Sequence, residues 1–413
     1  MHAEIEIDGK LQVGDVEIHV RSSEWYAHKH HLNSRYNRVI VHAVLFNDDF
    51  NLRTRLQNGK RVPTVELLKW VAVDTGDLYD DTKDTTTDGL CRITGKSLNI
   101  EVLKGVFESL GRERFLEKTE SMRLLRTRLD FEQLLYEGIM EALGYERNSK
   151  ALRELAQHVP FADLDQKSEL EIQAILFGVA GLLPSQREKP LPPEVTDDPS
   201  IVALEELWRA SEYAELPPRM TEARWSSTGR PFNHPVRRIA AMSQLIHRCQ
   251  GSLMMYFLPI CEKVATADTK RELRTIEKEL RSLLMLEPTG YWEKHANFGA
   301  KSTRTRLIGE GRAVDIIINK ILPIAYIWAV EAESLQLQEA LLRLYNVGSK
   351  STGNKIIDKV NKQIFNETQQ MRHLKPTAKI EQGVIRLYKN YCADQLCDLC
   401  PILEHDAVLP EEP

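Results

Sequence analysis

Gly14-Asp15-Val16-Glu17-Ile18-His19-Val20 decides how the first part of the chain folds. On an extended strand side chains alternate, so Asp15, Glu17 and His19 share one face while Val16, Ile18 and Val20 share the other. On either side of it, Ile5–Ile7 and Val39–Leu45 are also rich in β-branched residues, and Asp8-Gly9-Lys10 has the chemistry of a hairpin turn. Ser22-Ser23-Glu24-Trp25-Tyr26 predicts a short capped helix, with Trp25 and Tyr26 as its core anchors. A small α/β unit over residues 1–73 is expected.

Beyond it the pattern changes. Residues 74–95 carry six aspartates in a Gly/Thr-rich stretch without the spacing of a calcium loop, and read as a solvated linker. From Asn99 onward the apolar period is helical, as in Phe131–Leu143, Glu171–Leu183, Asp268–Leu284 and Gln336–Tyr345. Prolines interrupt it, so the expected order is a helical subdomain over 96–183, a Pro-rich crossing over 184–235, a second helical subdomain over 236–391 and a cysteine-rich tail over 392–413. The fold class is therefore α+β, a small N-terminal α/β unit followed by a large, mostly α-helical domain.

Composition sets outer limits. The chain has 413 residues, 42% of them hydrophobic, and 55 Lys+Arg against 60 Asp+Glu give a formal charge of −5. That argues against a purely electrostatic nucleic-acid binder but leaves room for local basic surfaces. Residues 219–248 reach +5 and 343–380 reach +6, against −8 over 162–215. Solvated helix faces paired with the acidic segment are one reading; a phosphate-tracking groove that uses Arg230, Arg237, Arg238, Lys355 and Lys359 is the other. The longest strongly apolar run, Ile321–Val330, is shorter than a bilayer span, and no secretory signal is visible, so a cytoplasmic chain with no membrane partner is expected.

The chemistry concentrates near the start. Six of the twelve histidines, His2, His19, His28, His30, His31 and His42, fall within the first 42 residues. A row of two carboxylates and an imidazole suits a divalent cation, Mg²⁺ or Mn²⁺, at Asp15 and Glu17, although an edge strand with a wet polar face alternates in the same way. His28-x-His30 with His42 offers a second chemistry, zinc, for hydrolysis of a small substrate.

The run from Gly14 to Tyr26, His28-Lys29-His30, and Tyr36-Asn37-Arg38 through Val44 resemble the bacterial domain-of-unknown-function family numbered 2851. So do Leu143–Asn148, Phe177–Leu183, Gly229–Pro235, and the tail from Gln382 through Cys392, Cys397 and Cys400. The N-terminal pattern is in turn similar to the PD-(D/E)xK nuclease core, which implies a restriction-endonuclease-like fold and metal-dependent cleavage of nucleic acid. By that resemblance Glu17-x-His19 stands where acid-x-Lys would be, and His19 takes the lysine's role on water or on the transition-state phosphate. The family pattern places a Gly-Pro-Asp-Phe segment ahead of the first strand; the sequence given starts at Met1 without it, and Asp15 is expected to substitute. A degenerate, non-catalytic relative that binds nucleic acid or protein through its helices is the alternative.

At the other end Cys392, Cys397 and Cys400 form C-x4-C-x2-C, with His405 beyond. Clustered thiols in a reduced chain predict zinc closed by His405, or an iron–sulfur cluster that borrows Cys91, Cys249 or Cys261; buried apolar packing of the thiols is the other reading. Oligomeric state is not legible.

Overall fold

The computed structural model describes residues 3–7, 9–46, 53–67, 99–227, 233–301, 305–349, 354–365, 374 and 376–404. Two compact units, Met1–Asp80 and Asp81–Pro413, divide the chain. The expected acidic linker over 74–95 lies outside the described residues.

The first unit is a four-stranded mixed sheet in the order β1 (Ala3–Ile7), β2 (Lys10–Arg21), β3 (Val39–Phe46) and β4 (Thr64–Glu66). Gly9, at φ 75°, turns β1 back onto the first half of β2, and the pair is antiparallel from Ala3↔Gly14 to Ile7↔Lys10. The second half of β2 pairs with β3 in parallel, Glu17 beside His42 and His19 beside Val44. β3 then pairs with β4, also in parallel, His42 beside Thr64. The parallel β2–β3 crossing contains α1 (Glu24–Ala27) and two 3-10 turns. Trp25, Val39, Leu56 and Val62 form the small core, with Tyr26 and Tyr36 packed against it.

The alternation along β2 is present with its polarity inverted. The face with Glu17 and His19 turns toward Trp25, while Ile18 is 67% exposed and Val20 49% exposed. Strands that carry an apolar row normally bury it. Here the inward side of the strand is the polar one.

The second unit is helical: α2 (Ile100–Leu125), α3 (Phe131–Leu143), α4 (Ser149–His158), α5 (Glu169–Val179), α6 (Pro193–Thr196), α7 (Pro199–Arg209), α8 (Pro235–Cys249) and α9 (Leu253–Glu262), then α10 (Lys270–Leu284), α11 (Glu310–Ile316), α12 (Leu322–Glu331), α13 (Leu335–Val347), α14 (Lys355–Ile364), α15 (Ala378–Leu387) and α16 (Pro401–Glu404). Starts follow ordinary capping chemistry: Asp130 caps α3, Ser168 and Glu171 form a capping box on α5, and Thr269 with Glu272 does the same on α10. The subdomains expected at 96–183 and 236–391 are not separate bodies. One core runs from Phe115 to Ala378, because the Pro-rich crossing buries Trp225, whose indole donates to the Ala180 carbonyl at 2.8 Å.

A smaller core joins α2 to α14 and α15. The α2–α15 crossing is close enough that a Cβ on Gly111 would lie 2.0 Å from the Lys379 carbonyl oxygen, and one on Gly383 2.0 Å from that of Phe107. Only glycine permits both approaches. One continuous helix, Glu310–Glu331, is long and apolar enough to cross a membrane by length and composition, yet 67% of that window is buried within the fold. Its burial is that of a core helix.

Candidate metal centre

β2, the α1 crossing and β3 together bring four histidines and one glutamate into a single cluster. The Glu24 carboxylate accepts from the Val20 and Arg21 amides at 3.0 and 3.2 Å, which ends the strand and starts α1. Trp25 is fully buried, and its indole donates to the Arg55 carbonyl at 2.9 Å. Lys29 takes a left-handed conformation, φ 58°, and this reversal lets both His28 and His30 return toward His19. Gly14 lets the incoming chain pass close, since a Cβ there would meet the Arg38 carbonyl oxygen at 2.5 Å.

His19 is the hub. Its Nε2 lies 3.1 Å from His30 Nε2 and 3.3 Å from His28 Nδ1, and its Nδ1 lies 2.9 Å from His42 Nε2. A Glu17 carboxylate oxygen stands 3.9 Å from His19 Nε2 and 3.8 Å from His30 Nε2. The ring nitrogens of His19, His28 and His30 all fall within 4.8 Å of one another. Two ligands on a tetrahedral zinc at about 2.0–2.1 Å stand about 3.3–3.4 Å apart, close to the spacing seen here.

Behind the cluster runs a second row of hydrogen bonds. His42 is fully buried, its Nδ1 lies 2.8 Å from the Thr54 hydroxyl, and that hydroxyl lies 2.9 Å from the Thr64 hydroxyl. One pattern of protons that satisfies the chain has His19 Nδ1–H donate to His42 Nε2 and His42 Nδ1–H donate to Thr54 Oγ1. His19 Nε2 is then left as a lone pair facing His28 and His30. That is the tautomer a metal ligand needs.

Electrostatics agree. Burial lowers the pKa of His19, with Glu24 opposing; burial and then the charges of His19 and His28 lower that of His30. Burial, reinforced by His19 and His30, pushes His42 down to about 4. Burial raises the Glu17 carboxyl, with His28 opposing. Neutral imidazoles are the metal-binding form.

The expected site residues separate into groups. Glu17, His19, His28 and His30 come together; His42 stands behind them as a hydrogen-bond partner of His19 instead of completing a trio with His28 and His30. Asp15 does not join: a register shift falls between Asp15 and Val16, and its carboxylate lies 3.8 Å from Arg38 Nε. Arg237 and Arg238 are not exposed phosphate ligands but buried ties, 1% and 5% exposed. Arg237 donates to the carbonyls of Trp292, His295 and Thr305, and Arg238 to the Leu307 carbonyl and Asn233. Lys359 donates to the Tyr388 hydroxyl at 3.1 Å, while Lys355 is exposed at the start of α14. Arg230, Cys91 and His405 lie outside the described residues. Cys392, Cys397 and Cys400 are half-buried, and Cys392 and Cys400 pack against the smaller core. Cys249 and Cys261 are buried in the larger one. Thr54 and Thr64 went unnoticed in the sequence, because nothing in their local spacing marks them as partners of His42.

A family model described as Protein of unknown function (DUF2851) matches residues 1–352. The chain belongs to that family. The match in DUF2851 takes in the whole histidine cluster and stops before Cys392, so the likeness of the tail lies outside it. No curated protein and no solved structure matches this DUF2851 chain.

Proposed function

We propose that this DUF2851 protein is a divalent-metal-dependent phosphodiester hydrolase acting on nucleic acid, with the ion held by His19, His28 and His30 and with Glu17 beside it. The observation that carries the proposal is the approach of two ring nitrogens, His30 Nε2 at 3.1 Å and His28 Nδ1 at 3.3 Å, to His19 Nε2. A donor set of imidazoles favours zinc or a similar transition metal over Mg²⁺, which prefers oxygen and retains water. When bound, such an ion polarises a phosphoryl oxygen and brings the pKa of its water to about 7. Glu17, whose carboxylate burial makes a stronger base, would take the proton of attacking water, while His42 would hold His19 in the ligating tautomer.

The likeness to the PD-(D/E)xK core is supported by Glu17 and His19 lying two residues apart on one strand face, the place of acid-x-Lys. The same imidazole-rich set also suits zinc-dependent hydrolysis of a small ester or amide, which is the second reading. The test is cleavage of single-stranded, duplex and branched DNA and of RNA, beside a panel of small esters and amides, with Zn²⁺, Mn²⁺ or Mg²⁺, for wild type and Glu17→Gln. Nucleic-acid cleavage by wild type, lost in Glu17→Gln at unchanged metal content, supports the proposal. Turnover of small substrates alone favours the second reading, and silence on every substrate by metal-loaded protein favours a binding protein.

A further inference from the structure

Between His28 and Val62 the chain carries Lys29, Arg35, Arg38, Arg53, Arg55, Lys60 and Arg61 against Asp48 and Asp49, a net of +5 inside a chain of net −5. Four of these cations sit on one hairpin. Val62 N–H donates to the Thr54 carbonyl, Leu56 N–H donates to the Lys60 carbonyl, and Gly59, at φ 81°, makes the turn. Thr54, Leu56 and Val62 point inward and are buried; Arg53, Arg55, Lys60 and Arg61 are exposed.

Arg55 and Arg61 are opposed directly across the antiparallel bridge, and the two-residue period puts Arg53 on the same face. Like charges opposite one another on a ribbon destabilise it. Among the described residues no carboxylate pairs with Arg53, Arg55, Lys60 or Arg61. The ribbon is nevertheless held firmly, and by the residues that build the metal centre. Trp25 donates to the Arg55 carbonyl, Tyr26 to the Arg53 carbonyl at 2.6 Å, and the Thr54 hydroxyl meets His42. Asn37 holds the tip through Gln57 at 3.0 Å and the Asn58 amide at 3.1 Å.

We propose that this hairpin docks the phosphate backbone of the nucleic-acid strand on which the His19–His28–His30 centre acts, a proposal that rests on the hydrolase reading above. Planar guanidiniums suit phosphate oxygens, and several of them fixed along one pinned ribbon exceed what a single small anion would occupy. The repulsion between Arg55 and Arg61 is then relieved by the bound phosphates.

The test uses the full chain with a fluorescent single-stranded DNA in the presence of chelator, titrated over a salt series, with metal content measured separately on the same preparations. Wild type binds, with an affinity that falls steeply with salt. Arg55→Ala/Arg61→Ala binds at least tenfold more weakly and its log–log salt slope falls by roughly 1.4, two phosphate contacts on a single strand. Arg53→Ala/Lys60→Ala, on the same ribbon, behaves similarly, whereas Lys278→Ala, at an exposed position on α10, matches wild type. An unchanged slope in both hairpin variants, no binding by wild type, or equal displacement by polyglutamate would overturn the proposal. Intact binding in protein that takes up no metal would sink the hydrolase reading and leave the docking surface standing.

Discussion

Thr54→Val removes one hydroxyl and keeps the side-chain shape, which makes it the sharpest probe of the row behind the metal centre. Thr54 is 3% exposed and His42 is fully buried, so no solvent replaces the lost acceptor 2.8 Å from His42 Nδ1. A buried donor left unsatisfied costs about 1–3 kcal/mol. His42 can recover a partner only by moving its proton to Nε2, and that turns an N–H toward His19 Nδ1 and forces the His19 proton onto Nε2, the ligating atom. Loss of an outer hydrogen bond of this kind typically weakens metal affinity about 10–100-fold. Competition against a chromophoric chelator, with zinc and with cobalt, measures it directly. Thr54→Ser, which keeps the hydroxyl, stays near wild type, and the visible cobalt spectrum of Thr54→Val shifts. Equal zinc affinity for Thr54→Val and wild type would refute the tautomer argument.

Other expectations follow from the second unit. His234 caps α8 by accepting the Val236 amide on Nδ1, and burial, with help from Arg187 and opposition from Glu222, pushes its pKa down to about 4. Its folded pKa lies below the unfolded value near 6.5, so its contribution is complete above about pH 6.5 and is lost as pH falls toward 4. His234→Asn, which retains an acceptor at the cap, flattens that part of the stability–pH curve. Arg237→Lys abandons carbonyls that a guanidinium holds together, each such charged hydrogen bond being worth about 1.5–3 kcal/mol, and lowers the thermal midpoint without changing any salt slope for DNA. Gly383→Ala drives a methyl into the Phe107 carbonyl and destabilises by about 1–3 kcal/mol in denaturant unfolding, with the metal site unaffected.

Periodicity made the elements legible. Phe131–Leu143 is a helix with those bounds, and the runs at Ile5, Gly14 and Val39 lie within strands that extend beyond them. Such features are local, because a repeat of two or of 3.6 residues leaves its mark within one element. Which face of β2 turns inward is not local: it depends on Trp25 and on the Thr54 hairpin. For the same reason Asp15, identical in pattern to Glu17, ends beside Arg38. Charge counting along the chain points to Arg237 and Arg238, which the fold buries, since a run of charge says nothing about burial until the packing is known.

The central claim is that imidazoles of the first unit hold a transition metal. X-ray absorption at the zinc edge of the loaded full-length protein tests it most directly. The account predicts a nitrogen/oxygen shell at about 2.0–2.1 Å, imidazole multiple scattering, and loss of the bound ion in His19→Ala. A sulfur shell at about 2.3 Å, removed by Cys397→Ser and unchanged in His19→Ala, would contradict it and move the metal to the tail.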